Sequence, residues 1–186
     1  GDVSYLAKFN RPDDLYNVVN VENATMRMLG ELPCNVANTK VTHTPSGDVL
    51  LVERFDIYKG KPHSHFLSAN SIFSMNKVSN ASMCTEYTYG YLAEFIMKYV
   101  SEPADAYDLY YRMVFNVLMG NTDDHSRNHA MLYNFTHGHW RLSPAYDVLP
   151  INHSMQHGIG IGDDGRVGSL ENLISQSKRF GLKPFK

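Results

Sequence analysis

The densest group of polar side chains in the sequence lies at residues 121–128, which read Asn-Thr-Asp-Asp-His-Ser-Arg-Asn. Asp123 precedes Asn128 by five positions, the interval between the base aspartate and the magnesium-binding asparagine of a protein-kinase catalytic loop. Asp124 has the wrong offset for that base. Asp147 follows 24 positions after Asp123, where kinases place a second magnesium carboxylate. Because Mg²⁺ prefers hard oxygen ligands, this order predicts phosphoryl transfer from Mg²⁺-ATP.

Further features that a kinase requires precede this loop in the expected order. Lys8 lies on a predicted strand, and Glu22 lies in the first turns of a predicted helix, as a phosphate-binding lysine and its glutamate partner would. Residues 52–56 then follow as a possible hinge strand between two lobes. Each feature also has a plain structural alternative. Strand lysines are usually solvated, a glutamate near a helix N-terminus favours the dipole, and Asp123 with Asn128 alone would suit loop capping.

The elements that position these residues fall into two groups. The first 57 residues predict a small, strand-containing unit, and residues 58–186 predict a larger helical one, with the boundary near residues 57–62. In the first unit, alternation and turn residues predict a strand at 3–9, a helix at about 19–29 that ends at Gly30, and a hairpin with strands at 36–42 and 49–56. This predicts an α+β fold with two lobes.

The second unit is predicted to contain two long helices within residues 84–119. The first carries an aromatic stripe at i, i+4 spacing, formed by Tyr87, Tyr91, Phe95 and Tyr99. We expect Tyr87, Tyr91 and Phe95 of this stripe to be buried. The second ends at Gly120, directly before the polar loop. A hairpin is predicted over residues 131–142, which returns the chain to Asp147. A short helix capped by Ser169 follows near the C-terminus.

Composition excludes several classes of protein. The 186 residues carry a net charge of -2 with both signs interspersed, so no global field attracts nucleic acid or an acidic membrane. The two cysteines, Cys34 and Cys84, form no metal-binding motif and predict ordinary thiols. No apolar run approaches the roughly 20 residues of a membrane span. We therefore expect a cytoplasmic protein that does not contact the membrane.

Four strings of residues resemble the HipA family of bacterial toxin kinases. They are Tyr-Leu-Ala-Lys-Phe at 5–9, Leu-Val-Glu-Arg-Phe-Asp at 51–56, the string at 121–128, and Arg-Leu-Ser-Pro-Ala-Tyr-Asp-Val-Leu-Pro at 141–150. The resemblance covers nearly the whole chain. It implies a kinase-like fold and a serine/threonine protein kinase that uses ATP and Mg²⁺.

The resemblance also implies a role for each matching residue. The roles are the catalytic base for Asp123, magnesium ligands for Asn128 and Asp147, phosphate contacts for Lys8 and His125, support of Lys8 for Glu22, and the adenine-facing hinge for Glu53 and Phe55. Expected partners are protein substrates, including an aminoacyl-tRNA synthetase and the kinase's own phosphate loop, and an antitoxin of the HipB type. DNA would be contacted only through that antitoxin.

The sequence leaves two other hypotheses open. The Gly-rich phosphate loop of the family precedes the lysine strand, whereas this sequence begins seven residues ahead of Lys8. The chain is therefore also consistent with a non-catalytic fragment or a split-kinase subunit in a toxin–antitoxin assembly. A third hypothesis is a two-metal phosphohydrolase built on Asp123, Asp124, His125 and Asp147. It leaves Lys8 and the hinge unexplained.

Overall fold

The computed structural model describes residues 3–75, 87–100, 102–151 and 154–183. Its first sheet contains β1 (Tyr5–Phe9), β2 (Thr39–Thr44) and β3 (Gly47–Glu53), all antiparallel in the order β1–β3–β2. The predicted strand and hairpin are confirmed, and Gly47 takes the positive φ of 118° in the hairpin turn. Strand β3 ends three residues earlier than predicted. Lys8 pairs with Leu50 of β3, and it is the partly buried residue of β1.

Helix α1 (Val18–Leu29) follows β1 and packs on this sheet. Asn17 caps it by accepting a hydrogen bond from the Asn20 amide, and the helix ends at Gly30 as predicted. Its buried face carries Glu22 among apolar neighbours, whereas Met28 is 52% exposed. The helix therefore turns an acidic side chain toward the interior, where burial of a charge requires a partner.

A two-stranded ribbon, β4 (Ile57–Tyr58) and β5 (Lys61–Pro62), occupies the region of the predicted boundary. It leads into β6 (Ser64–Ser68), which joins β7 (Ala130–Asn134) and β8 (His139–Leu142) in a second antiparallel sheet with β7 in the centre. This confirms the hairpin predicted at 131–142. The short helix α2 (Ala69–Met75) continues from β6. The two-lobe division itself stays a prediction.

Helices α3 (Tyr89–Tyr99) and α4 (Ala104–Met119) confirm the two helices predicted in the second half. Residues 84–86, including Cys84, lie outside the described residues. The predicted stripe of Tyr87, Tyr91 and Phe95 packs against the core but is only partly buried. The fully buried residues of α3 are Tyr89, Gly90, Leu92, Ala93 and Ile96. Tyr87 and Tyr91 are half-buried against Phe73, and Tyr99 is 53% exposed. Gly90 allows a close contact on this face, since an added side-chain carbon there would lie 2.6 Å from Gln176 Oε1 and 2.7 Å from Arg179 Nη1.

The C-terminal part contains α5 (Leu170–Ser175) and a 3₁₀ helix (Ser177–Phe180), which packs against α3 and α4. Ser169 caps α5 by accepting from the Asn172 amide, as predicted. One apolar cluster fills the space between α2, α3, α4 and the second sheet, and a second lies between α1 and the first sheet. Within the described ranges, no helix combines the length and the apolarity needed to cross a membrane.

Candidate active site

A cleft of about 890 Å³ opens between the first sheet and the helical part of the chain. Five residues that the sequence singled out line it together: Lys8, Glu22, Asp123, Asn128 and Asp147. They come from β1, from α1, from the loop after α4, and from the segment after β8. This volume lies in the range of about 300–1,000 Å³ that is typical of small-molecule sites. Residues distant in the sequence thus meet in one place that can hold a ligand.

Lys8 is the charged centre of the cleft. Its Nζ donates to Glu22 Oε1 at 2.6 Å and also contacts the carboxylate of Asp147. Burial lowers the pKa of Lys8, but the attraction of the two carboxylates outweighs this and the pKa is raised. Burial raises the pKa of Glu22, against the opposing pull of Lys8. The lysine is therefore held as a cation between the carboxylates of Glu22 and Asp147.

Asp147 has an unusual backbone for a non-glycine residue, with a φ of 61°. Such left-handed conformations cost roughly 1–3 kcal/mol and cluster at functional sites. Its side chain remains 41% exposed, although its carboxylate pairs with Lys8. The backbone geometry therefore presents an accessible carboxylate at the cleft instead of burying it.

The loop after α4 delivers Asp123 and Asn128 to the same cleft. Gly120 ends α4 with a left-handed φ of 69°, and the chain then turns through residues 121–128. The Asn128 amide donates to the His125 carbonyl at 2.8 Å, which closes the loop. Asp123 is exposed and Asn128 is buried, yet both line the cleft. The five-residue interval thus brings a free carboxylate and an amide oxygen to one side of the cleft.

Asp124 has a different environment from its neighbour. It is 2% exposed and accepts hydrogen bonds from the Tyr89 hydroxyl and from His129 Nε2, the latter at 3.0 Å. Burial raises the pKa of the Asp124 carboxyl, but His129 and Tyr89 outweigh it and the pKa is lowered. Asp124 is therefore an ionised, fully bonded carboxylate inside the protein and does not line the cleft.

His125 is the one predicted phosphate contact that does not line the cleft. It is half-buried, and its Nδ1 is enclosed without a hydrogen-bond partner among the described residues. Its Cβ instead faces Gly158, where an added side-chain carbon would lie 3.1 Å away. In this conformation His125 packs against the segment that follows Asp147.

A second pocket, of about 540 Å³, adjoins the cleft and shares Lys8 and Asp147 with it. The predicted hinge residues Glu53 and Phe55 line this pocket. Phe55 lies against Tyr146, with ring centroids 5.6 Å apart, and against Phe66 at 6.4 Å. Such an apolar, aromatic pocket beside a charged cleft suits a flat heteroaromatic ring attached to phosphates.

Several residues of the two pockets were missed by reasoning from the sequence: Leu6, Arg11, Phe66 and Tyr146. Leu6 carried a usable signal, because it lies two residues before Lys8 and therefore on the same face of β1. Phe66 and Tyr146 carried none, since they reach the pocket through long-range packing. Arg11 lies in the loop after β1 and adds a cation to the rim of the cleft.

The donor set suits Mg²⁺ better than a transition metal. Asn128 and Asp147 offer hard oxygen atoms, and Mg²⁺ normally takes only one or two protein side chains and completes its shell with water and phosphate. Across the described ranges, histidine, cysteine, aspartate and glutamate form no group of three or more that could hold a metal ion. Asp124 is buried and does not line the cleft, which disfavours the two-metal phosphohydrolase hypothesis because that hypothesis needs Asp124 as a ligand.

Comparison with known proteins identifies the class of protein that this fold and cleft define. The sequence profile of the HipA-like C-terminal domain matches residues 1–184, so the chain belongs to that family. No curated protein sequence matches it. Its fold is similar to a chain from the Shewanella oneidensis MR-1 structure of the toxin–antitoxin system HipA, HipB and its operator DNA. That match has a TM-score of 0.75 at 21% identity and covers 97% of this chain and 46% of the other.

A second solved structure, the Helicobacter pylori proinflammatory kinase CtkA, matches with a TM-score of 0.61 at 17% identity. The match covers 80% of this chain and 52% of the kinase. The predicted kinase-like α+β fold and the resemblance to HipA are thereby confirmed. The chain spans about half the length of both matched chains.

Proposed function

We propose that this chain is the catalytic region of a HipA-like serine/threonine protein kinase, which transfers the γ-phosphate of ATP to a protein hydroxyl. The observation that carries the proposal is the single cleft lined by Lys8, Asp123, Asn128 and Asp147 next to an aromatic pocket. This arrangement supplies a cation, a free carboxylate, two hard oxygen ligands and a site for a base. Phosphoryl transfer needs positioning and charge stabilisation more than covalent chemistry, and these groups provide both.

The proposed roles follow from the environment of each side chain. Asp123 is exposed to the cleft, so its carboxylate is free to accept the proton of an incoming serine or threonine hydroxyl. Asn128 and Asp147 would hold Mg²⁺, which neutralises charge on the phosphates when bound. Lys8 would exchange Asp147 for the phosphates while Glu22 keeps it in place. The aromatic pocket would take adenine at Glu53 and Phe55.

The biological setting is proposed from the family. A toxin of a toxin–antitoxin system would act in the cytoplasm on protein substrates, including an aminoacyl-tRNA synthetase. An antitoxin of the HipB type would be its partner and would mediate any contact with DNA. The Shewanella structure contains HipA, HipB and operator DNA together, which supports this part of the proposal.

A second candidate, a split-kinase subunit, is favoured by the free edge of β1. Within the described sheet, β1 pairs only with β3, and Leu6 and Phe9 are 57% and 67% exposed. An exposed edge strand with apolar side chains can accept another strand through main-chain hydrogen bonds. A segment bearing the phosphate loop could therefore bind along β1, either from the same chain or from another one.

The test is transfer of labelled phosphate from ATP to protein serine or threonine by this chain. We expect transfer that depends on Mg²⁺ and is lost in Asp123→Asn. Release of free phosphate without protein phosphorylation would favour a hydrolase. Absence of both Mg²⁺-ATP binding and transfer by the folded chain would favour a non-catalytic role.

A further inference from the structure

Tyr89, the first residue of α3, contacts the loop that carries Asp123 and Asn128 but does not line the cleft. Its side chain is fully buried, and its hydroxyl donates to the carboxylate of Asp124. The same hydroxyl accepts from Asn116 Nδ2 at 3.0 Å. Its ring also lies edge-on to His129, with centroids 5.1 Å apart. A residue 35 positions before the loop is thus bonded to its interior.

These contacts form one buried polar network that spans four elements. Asn121 Nδ2 donates to Asn116 Oδ1 at 3.1 Å, and His129 Nε2 lies 3.0 and 3.2 Å from the two Asp124 oxygens. The network therefore ties the start of α3, the end of α4, the loop and the entry to β7. Asp123 and Asn128 both lie between its outer attachment points, Asn121 and His129.

A buried polar network of this kind adds little to the free energy of unfolding. A buried charge loses its hydration, and apolar residues of similar volume usually stabilise a fold at least as well. Its directional hydrogen bonds, however, fix the backbone of a loop that has no regular secondary structure of its own. Asp124 has a cleft residue next to it in sequence, so rotation of its backbone would move Asp123 as well.

We propose that Tyr89 and Asp124 are positioning residues of the active site, whose hydroxyl-to-carboxylate bond holds Asp123 and Asn128 at the cleft. The inference rests on the proposed kinase function for its consequence, but the ordering of the loop stands independently of it. Neither residue lines the cleft, so both act through the loop.

The first measurement is hydrogen exchange of the 186-residue chain carrying Tyr89→Phe, which removes only the hydroxyl. The matched control is Tyr110→Phe, because the Tyr110 hydroxyl donates to the Leu173 carbonyl at 3.2 Å, away from the loop. A hydrogen bond to a charged group limits local opening, so we expect about 10- to 100-fold faster exchange over residues 121–129 in Tyr89→Phe alone. Asp124→Asn weakens the same bond from the other side and should accelerate exchange over the same residues.

The second measurement is the kinetics of phosphate transfer from ATP by the same variants of this chain. A misplaced base and metal ligand should lower kcat by about 10- to 100-fold in Tyr89→Phe, with the KM for ATP nearly unchanged because the adenine pocket is intact. Tyr110→Phe should leave kcat unchanged. Unchanged loop exchange in Tyr89→Phe, or an equal kcat loss in the control, would overturn the inference. Absence of transfer in the unmodified protein would instead refute the proposed function, and the exchange data would still decide whether the network orders the loop.

Discussion

Substitution of Asp123 or of Asp124 by asparagine should separate the effects on catalysis from the effects on stability. Asp123 is exposed and lines the cleft, whereas Asp124 is 2% exposed and accepts from Tyr89 and His129. Both substitutions keep the size of the side chain and remove one negative charge. They therefore test directly which carboxylate performs chemistry and which one holds the loop.

The magnitudes follow from these environments. Asp123→Asn should change the unfolding free energy by less than about 0.5 kcal/mol, as expected for an exposed side chain. It should abolish transfer, since a general base contributes about 10²- to 10⁴-fold. Asp124→Asn weakens hydrogen bonds to a buried charge worth about 1.5–3 kcal/mol each. A net loss of about 2–3 kcal/mol would lower Tm by roughly 4–12 °C for a chain of this size. Transfer should fall by only about 10- to 100-fold.

The assay pairs thermal unfolding, followed by circular dichroism, with transfer of labelled phosphate by the same preparations at a temperature where both variants are folded. Kinetic values are compared with unmodified protein measured alongside. Equal losses of transfer in the two variants would refute the assignment of Asp123 as the base. A drop in Tm for Asp123→Asn as large as that for Asp124→Asn would refute the contrast in burial.

Two further predictions concern the cleft and the loop. Glu22→Gln should remove a pH dependence of stability. Burial disfavours the ionised carboxyl of Glu22, so the free energy of unfolding falls as pH rises from the ordinary pKa of 4.5 through the raised pKa of the folded state. Urea unfolding at pH 4–7 should therefore show a flatter pH profile in the variant. Gly158→Ala should lower the free energy of unfolding by about 1–3 kcal/mol, since the added Cβ would lie 2.6 Å from the Asp124 carbonyl oxygen. Gly30→Ala is the control, because its Cβ would lie 3.3 Å from the nearest atom, and it should lower stability less in the same thermal unfolding assay.

Much of the local structure was determined by the sequence alone, because its signals act over a few residues. Ser169 and Gly30 mark helix ends through capping and turn geometry, and both hairpins follow from alternating strands around short turns. The five-residue interval from Asp123 to Asn128 is also a local signal. A single closed loop after a helix end brings both side chains to one surface.

The buried face of α3 shows where sequence periodicity fails. An i, i+4 aromatic stripe predicted Tyr87, Tyr91 and Phe95 as that face, but these three are only partly buried, whereas Leu92 and Ile96 are fully buried. Periodicity identifies an amphipathic helix, but it does not determine how the helix rotates when apolar residues surround most of its axis. Close packing against α4 and the 3₁₀ helix decided the rotation through the size of the side chains.

The tertiary structure alone decided which distant side chains meet. Lys8 pairs with Asp147 across 139 positions, and Tyr89 bonds to Asp124 across 35, with no local pattern that couples either pair. Phe66 and Tyr146 likewise join Phe55 only after the two sheets pack. Sequence spacing specifies backbone conformation over one or two turns. Contacts between elements depend on the packing of the whole core, and the difference between Asp123 and Asp124 became visible only through their burial.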